Sequence, residues 1–519
     1  MAKSLDKWQF GDFQTPDELA NLAIRVLKKR HDLNPDIIIE PTCGKGAFLR
    51  ASLHEFKYSK VVGFDINEEY VEEARKSLSR KFESNNVDIY VEDFFGMNWG
   101  SFLASSPGYI LIVGNPPWVT SSELSILNSK NLPSKSNFQS RRGIEAITGS
   151  SNFDISEWML LQHIEWLSKR EGTIALLCKH SVARKVIQQA RVKLGNRFSV
   201  SIYLIDTKAF FGASVEACFF VLSTNNNSSV NKSPSSDCKV YRDLESNQIL
   251  YVIGERDGLI LKDTKKYEKW KHLSGQNLKY IWRSGIKHDC SKVMELEQVE
   301  DGFFLNGMRR KYFLEKEYIY PLLKSSDIGN ARIESCRKFV LVTQRLVGED
   351  TGIIKDKAPN TWQYLLEHDE LLKKRKSSIY KNKPPYSIFG VGDYSFKKWK
   401  VAISSLYKKL DFYLVGPIEN KPVMLDDTVN FLSFETEKEA EFVHGILTSK
   451  QSLEFLDSMI FWDNKRPITI EILKRLSLHS VAKELDLLQE YLELAKATRV
   501  GSGGQLELGL AEQSSSYRV

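Results

Sequence analysis

Ile37-Ile38-Ile39-Glu40-Pro41-Thr42-Cys43-Gly44-Lys45-Gly46-Ala47-Phe48-Leu49 is the stretch from which the fold can be read. Three β-branched apolar residues make a short buried strand ending at Glu40, Cys43 to Gly46 form a turn, and the run after it opens a helix. Glycine at 44 and 46 lets the main chain turn tightly and approach a ligand with no Cβ in the way. A dinucleotide site uses a similar device, yet two features oppose that reading. Leu49 stands where the third glycine of G-x-G-x-x-G belongs, and Glu40 suits a cationic ligand better than a pyrophosphate.

Outward from that stretch the pattern repeats. Lys60 to Phe64 reads as a second strand ending at Asp65, with Asn67 placed to cap the next helix. Val87 to Val91 is a third, ending just before Asp93, and Tyr109 to Val113 a fourth, running into Asn115-Pro116-Pro117-Trp118. Further strands are expected at Thr173 to Leu177, Val200 to Ile205 and Ala217 to Leu222. Strands apolar throughout, separated by helical stretches, predict an α/β fold with a mostly parallel sheet covered on both faces. In such sheets ligands sit beyond the carboxyl ends of the strands, and all of these motifs fall at that edge.

Asp65 stands where a carboxylate can accept both hydroxyls of a ribose. Asp93 can accept a hydrogen bond from an adenine amino group, with Phe94 packed on the ring. Either acid alone could equally cap a helix; their shared placement favours a ligand. In Asn115-Pro116-Pro117-Trp118, a rigid proline turn with a packed tryptophan would explain the stiffness but leave the asparagine without a role. Paired prolines fix the backbone, so the amide oxygen of Asn115 and a nearby carbonyl can be held at defined positions. Both accept hydrogen bonds from a planar amino group, which draws its lone pair out of ring conjugation and towards a methyl sulfonium. Acceptors aimed at positive charge developing on nitrogen are the mirror of an oxyanion hole. Trp118 can stack on the presented ring.

Composition sets the frame. With 519 residues, two or three domains are expected. Hydrophobic residues at 42% and charged residues at 27% describe a soluble globular protein. The longest apolar runs are strand-sized and far too short to cross a bilayer. Met1-Ala2-Lys3-Ser4-Leu5-Asp6-Lys7 is followed by no apolar segment, so no signal peptide is expected. Six scattered cysteines without CxxC spacing fit a reducing compartment and indicate no metal. The formal charge of +7 is compatible with nucleic acid, and basic residues cluster at Arg141-Arg142, Arg309-Arg310-Lys311, Lys373-Lys374-Arg375-Lys376 and Lys397-Lys398. A polar break at Asn225 to Ser229 and Lys232 to Ser236 suggests a surface loop or linker between domains.

On these residues the chain resembles the amino-methylating DNA methyltransferases of restriction–modification systems, in the adenine-specific group with a C-terminal target-recognition domain. The likeness rests on Gly11-Asp12-Phe13-Gln14-Thr15-Pro16, similar to a cofactor-lid motif, on Glu40 to Phe48, and on Asn115 to Trp118. Thr42, where alanine is common, is a mild departure. Asp206 to Leu222 resembles the segment supplying a second aromatic wall for a flipped base, with Phe211 that wall and Phe210 close behind. The resemblance covers 11 to 222 strongly and extends loosely to about 480 through Tyr320 to Lys324 and Leu365 to Trp399.

It implies an S-adenosylmethionine-dependent, Rossmann-like catalytic domain over 1–224, a linker at 225–239 and an α+β DNA-recognition domain over 240–430. A mostly helical region follows at 431–499, and 500–519 is expected to be disordered. S-adenosylmethionine would be held by Thr15, Glu40, Pro41, Cys43, Gly44, Gly46, Phe48, Asp65, Ile66, Asp93 and Phe94. Asn115, Pro116, Pro117, Trp118 and Phe211 would serve catalysis, and Arg309, Arg310 and Lys311 are candidates for DNA contact. The implied reaction is methylation of adenine N6 in a nucleotide flipped out of double-stranded DNA. The enzyme would be a cytoplasmic monomer of a bacterium or archaeon, with cleavage left to a separate endonuclease. Alternatives are N4-cytosine methylation, methylation of RNA or of a protein glutamine, and an inert nucleic-acid-binding protein. Asn115 favours adenine over cytosine, where serine is commoner. The long basic C-terminal half, and tryptophan in place of the usual tyrosine, disfavour RNA and glutamine.

Overall fold

The computed structural model describes residues 14–79, 86–119, 154–213, 215–224 and 237–500. Arg141-Arg142, Gly11 to Phe13, the tail from 501 and most of the 225–239 segment lie outside the described residues. The chain divides into two compact units, Met1–Lys265 and Lys266–Val519.

In the first unit the apolar runs become strands within a few residues of their expected ends. In chain order the elements are α1 (Asp17–Arg30), β1 (Ile37–Glu40), α2 (Ala47–Glu55), β2 (Lys60–Asp65), α3 (Glu68–Ser79), β3 (Val87–Val91) and α4 (Trp99–Ala104). There follow β4 (Ile110–Gly114), α5 (Ile155–Leu167), β5 (Gly172–Lys179), α6 (His180–Leu194), β6 (Phe198–Ile205), α7 (Thr207–Phe211) and β7 (Ala217–Thr224). Asn67 caps α3 as its position suggests, its side-chain oxygen accepting from the Tyr70 N–H at 3.2 Å. Parallel neighbours require crossover connections, and the helices provide them.

With β8 (Cys238–Tyr241), β9 (Ile249–Arg256) and β10 (Leu259–Leu261), one sheet runs in the order β10-β9-β8-β6-β7-β5-β4-β1-β2-β3. Strands β1 to β5 are mutually parallel, and β7 lies antiparallel between β5 and β6. Chain order reverses between β1 and β4, which opens a crevice where their carboxyl ends diverge. Register places Glu40 opposite Gly63 and Asp65 opposite Val91, so β2 runs two residues past the end of β1 and finishes level with β3. The core joins Leu19, Ile38, Phe48, Leu111, Val113, Ala175 and Phe219, all buried. Helix α5 buries residues on every side, as expected of a helix apolar all round.

Two expected boundaries move. The first unit ends at Lys265 rather than at 224. After the polar break the chain returns as β8 (Cys238–Tyr241), β9 (Ile249–Arg256) and β10 (Leu259–Leu261), with β8 pairing parallel to β6. Otherwise β6 would present an open edge, which folded sheets avoid. Among its described residues the second unit has ten short strands: β11 (Arg283–Ser284), β12 (Glu295–Glu300), β13 (Phe303–Asn306), β14 (Lys311–Phe313), β15 (Ile319–Leu323), β16 (Lys338–Leu341), β17 (Trp399–Ser404), β18 (Tyr413–Val415), β19 (Met424–Leu425) and β20 (Val429–Phe434). They form sheets ordered β11-β20-β17-β18 and β14-β13-β12-β16-β15-β19, so the expected α+β class holds. A boundary at 430/431 would cut β20, which pairs with β17 along its whole length. The helices Glu437–Thr448 and Lys450–Asp457, capped by Thr436 and Ser449, therefore belong to the same unit. Among the described residues no helix is long and apolar enough to cross a membrane, and no group of side chains could hold a metal.

Candidate active site

Glu40 ends β1 with only 2% of its surface exposed, and its Oε2 has no hydrogen-bond partner among the described residues. Burial, reinforced by the neighbouring Asp65 charge, pushes its carboxyl well above the usual range. The side chain leans towards Gly114, the last residue of β4. A Cβ at Gly114 would stand 3.3 Å from Glu40 Cγ, and its φ of +152° is one that side chains rarely adopt. Glycine at 114 thus lets Glu40 lie against the root of the Asn115 loop. Gly114 carries no motif signal of its own, and neither does Gly63, which also shapes the site; sequence reading passed over both, and it quoted Gln14 within the lid-like motif without giving it a role.

Gln14 covers the glycine turn. Its Oε1 accepts from the Lys45 N–H at 3.1 Å and lies where a Cβ on Gly44 would come, and half-buried Thr15 is its neighbour in the chain. Gly63, on β2, acts from below. A Cβ there would meet Leu49 Cδ1 at 2.7 Å and Cys43 Sγ at 3.2 Å, so its absence seats the turn on the sheet.

Asp65 Oδ2 accepts the Gly44 N–H at 2.7 Å and Oδ1 the Asn67 N–H at 2.9 Å. Oδ2 thus lies at the glycine turn, and a carboxylate oxygen can accept more than one hydrogen bond. Ile66 beside it is 50% exposed, an apolar surface at the mouth of the site. Asp93, half-buried, accepts the Phe95 N–H on Oδ1 at 3.0 Å. Phe94 is buried in a ring cluster with Trp99, His163 and Trp166, at centroid distances of 5.2, 5.8 and 5.9 Å. Pro41 and Gly46 are buried in the turn, and Gly46 has a left-handed φ of +76°. Cys43 is buried, and burial pushes its thiol far up, which fits packing rather than reaction. Phe48 departs from expectation. It is 0% exposed in the core and offers a ligand no surface, because its place in α2 turns it inwards. An open carboxylate oxygen in a dry site, a glycine cradle and two acids at adjoining strand tips suit a ligand carrying both a cation and a ribose.

The loop after β4 is stiff and partly covered. Pro116 and Trp118 are buried, while Asn115 and Pro117 are half-buried, with the Asn115 side-chain oxygen shielded from solvent. Phe211 closes α7, where Gly212 in a left-handed conformation stops the helix. Trp118 and Phe211 are brought together as expected. Their rings meet edge to face, with centroids 5.6 Å apart and planes at 67°.

The basic candidates separate by their partners. Arg309 lies 2.6 Å from Glu297, Arg310 3.6 Å from Glu367 and Lys311 2.9 Å from Glu300, so each faces a carboxylate. Arg375 is used internally: it donates to the Ser387 carbonyl at 2.6 Å and lies 3.8 Å over the Tyr380 ring. Lys373 pairs with Asp369, and Lys397 lies 3.6 Å from Glu435.

Residues 2–305 match the family model described as N-6 DNA methylase. Over 478 residues the chain is 43% identical to the Type II methyltransferase M.NspV of a Nostoc species, a match covering 92% of this chain and 98% of that protein. It is 32% identical over 110 residues to the Type II methyltransferase M.CvrRI of a Paramecium bursaria Chlorella virus, covering 21% of this chain and 25% of the relative. A Type IIL restriction–modification enzyme, MmeI, solved in complex with DNA, aligns over 97% of this chain and 71% of its own at 12% identity and a TM-score of 0.49.

Proposed function

The chain belongs to the N-6 DNA methylase family, and from that premise we propose that Glu40, Asp65 and Asp93 hold S-adenosylmethionine at the sheet edge while Asn115 to Trp118 present an adenine to it. The reaction is methylation of adenine N6 in DNA. One observation carries the assignment of residues: the buried carboxylate of Glu40, with an oxygen that has no donor among the described residues, lies against Gly114, one residue before Asn115.

S-adenosylmethionine supplies an electrophilic methyl group on a positively charged sulfur. Glu40 offers its open oxygen to the cationic part of that molecule, in a dry site where charge acts strongly. Asp65 takes the ribose hydroxyls, and Asp93 takes the adenine amino group with Ile66 as an apolar bed. Asn115 and the Pro116 carbonyl accept the two N–H bonds of the target amino group. This turns its lone pair out of the ring and stabilises the positive charge that grows on nitrogen. The proton leaves during or after transfer, and no side chain is assigned to remove it beforehand.

The target lies within stacked DNA and must be rotated out, at a cost of about a few kcal/mol that stacking and phosphate contacts offset. Trp118 and Phe211 are the proposed walls for that base. Because their rings now touch edge to face, one of them turns aside as the base enters. The likeness to a Type II methyltransferase over nearly its whole length supports a modification enzyme acting in the cytoplasm on double-stranded DNA, with any endonuclease a separate protein.

Expression in a methylation-free host, followed by nucleoside analysis and modified-base sequencing, should yield N6-methyladenine at one short sequence. N4-methylcytosine would overturn the base assignment. Asn115→Ala should lower methyl transfer by about 10²–10³-fold or more while gel-shift affinity for the identified duplex stays within about threefold of the parent's. Turnover at the parent rate would remove Asn115 from the mechanism.

A further inference from the structure

Pro116 and Pro117 have no N–H, so two successive residues of the catalytic loop donate nothing to the surrounding main chain. The loop must be held through its carbonyls and through the residues on its C-terminal side. One side chain meets that need. Lys179, the last residue of β5, donates from Nζ to the Trp118 carbonyl at 3.0 Å and to Asp154 Oδ2 at 2.7 Å. Asp154 is buried at the N-cap of α5, where its Oδ1 accepts from the Ser156 N–H at 3.0 Å and from the Ser156 hydroxyl. The chain is tied at the same point by the Ile155 N–H, which donates to the Val119 carbonyl at 2.9 Å.

We propose that Lys179, anchored by Asp154, is a positioning residue for methyl transfer that fixes the Trp118 end of the catalytic loop; this rests on the assignment of Asn115 to Trp118 made above. Lys179 holds Trp118 from the end of the strand next to β4, so the loop is fixed at its root by the sheet and at its far end by the ammonium. The same strand end reaches the other proposed wall. Lys179 is in register with Ala217, the first residue of β7, and the His180 N–H donates to the Glu216 carbonyl at 3.0 Å, shortly after the Phe211 segment. One lysine thus stands between the two elements that would enclose the base.

An ordinary ion pair does not have this form. Lys60–Asp88 joins two exposed side chains, of a kind that contributes little to stability. Here the carboxylate side chain is 9% exposed, and the lysine's second bond goes to the motif itself. The pair is neutral overall, so it does not oppose the positive charge that grows on the substrate nitrogen. Its contribution is geometric. A displacement of about 1 Å in a positioning group can cost about 10²-fold in rate.

The test uses full-length protein, unmethylated genomic DNA from a methylation-free host and methyl-labelled S-adenosylmethionine. Lys179→Met leaves Asp154 buried and unpaired, so Asp154→Asn with Lys179→Met is made alongside it, as is Lys179→Arg. We expect both lysine-to-methionine proteins to lose about 10²-fold in kcat, with KM for DNA and calorimetric affinity for S-adenosylmethionine within about threefold of the parent's. Lys179→Arg should recover most of the rate. Should Lys179→Met alone fail to fold, the double variant and the arginine variant carry the comparison. If the double variant turns over at the parent rate while Asn115→Ala is inactive, the proposed clamp is wrong and the loop assignment survives. Loss of cofactor affinity in step with kcat would equally refute it, as would an arginine variant as slow as the methionine one. Parent activity in Asn115→Ala would instead bring down the loop assignment, and the clamp with it.

Discussion

Ionising Glu40 in the folded chain is costly, because its carboxyl lies out of water beside Asp65 and one oxygen has no donor among the described residues. Its folded-state affinity for a proton is raised, so between the unfolded value near 4.5 and the higher folded value the native chain binds more protons than the unfolded one. Stability contributed by this residue therefore falls as pH rises through that window, and at neutral pH the ligand-free protein carries the penalty. A cationic ligand relieves it. Glu40→Gln should raise the melting temperature of the ligand-free protein at pH 7. It should weaken S-adenosylmethionine by about 10–100-fold, the worth of one hydrogen bond to a charged group. Thermal unfolding with and without cofactor, together with calorimetry, separates the two effects. Equal affinity in the variant would show that Glu40 does not face the cofactor.

Elements differ in how far their sequence disclosed them. Strands β1, β2 and β4 were legible because each is a largely apolar run with a polar residue at or just beyond its end, and a strand buried on both faces leaves few other readings. Strand β8 hid behind the polar break, since Cys238, Lys239, Val240 and Tyr241 form only a short alternating run that is buried through its pairing with β6. Phe48 was misjudged because membership of a motif says nothing about which way a helix turns its residues. Lys179 gave no signal, as a lysine after a strand is ordinarily solvated. The second unit resisted reading because its strands are two to six residues long, too short for a period to show. Its basic triplet illustrates a further limit, since composition does not reveal which charges are already matched. Residues 309–311 each face a glutamate. By contrast Lys374, Lys376, Lys381 and Lys383, in the segment after the helix Asp369–Lys373, are exposed with no carboxylate partner among the described residues. Such ammonium groups need displace no partner to meet a phosphate. Changing these four lysines to alanine should weaken DNA binding and reduce the slope of log affinity against log salt by about 0.9 for each phosphate no longer neutralised. The triple alanine variant at 309–311 should change that slope less. Fluorescence anisotropy across a salt series measures both, and the reverse ranking would return the DNA contact to the triplet.

Across the whole molecule, acid and base stability should respond through different units. In the first unit His163 is 1% exposed among aromatic rings, with neither ring nitrogen hydrogen-bonded among the described residues, and burial lowers its pKa to about 3. The unfolded chain takes up a proton near pH 6.5 that the folded chain refuses, so stability is lost as pH falls below that point, by about 2 kcal/mol at pH 5. In the second unit Lys400 is 1% exposed, and burial lowers its pKa to about 7, although its Nζ donates to the Lys397 carbonyl at 2.8 Å. The same sign applies in a higher window. Its penalty is absent above about pH 10.5, grows as pH falls, and levels off below about pH 7 at an upper bound of about 5 kcal/mol. His163→Leu should therefore flatten the acid limb of unfolding between about pH 6.5 and 5 and do nothing above about pH 8. Lys400→Met should stabilise at about pH 7 and lose that advantage near pH 10.5. Calorimetric scans across pH, with variants of one unit serving as controls for the other, decide the matter. An acid limb unchanged in His163→Leu would mean that the imidazole gains a proton partner on folding, and a gain in Lys400→Met that persists at about pH 10.5 would assign it to packing instead of charge.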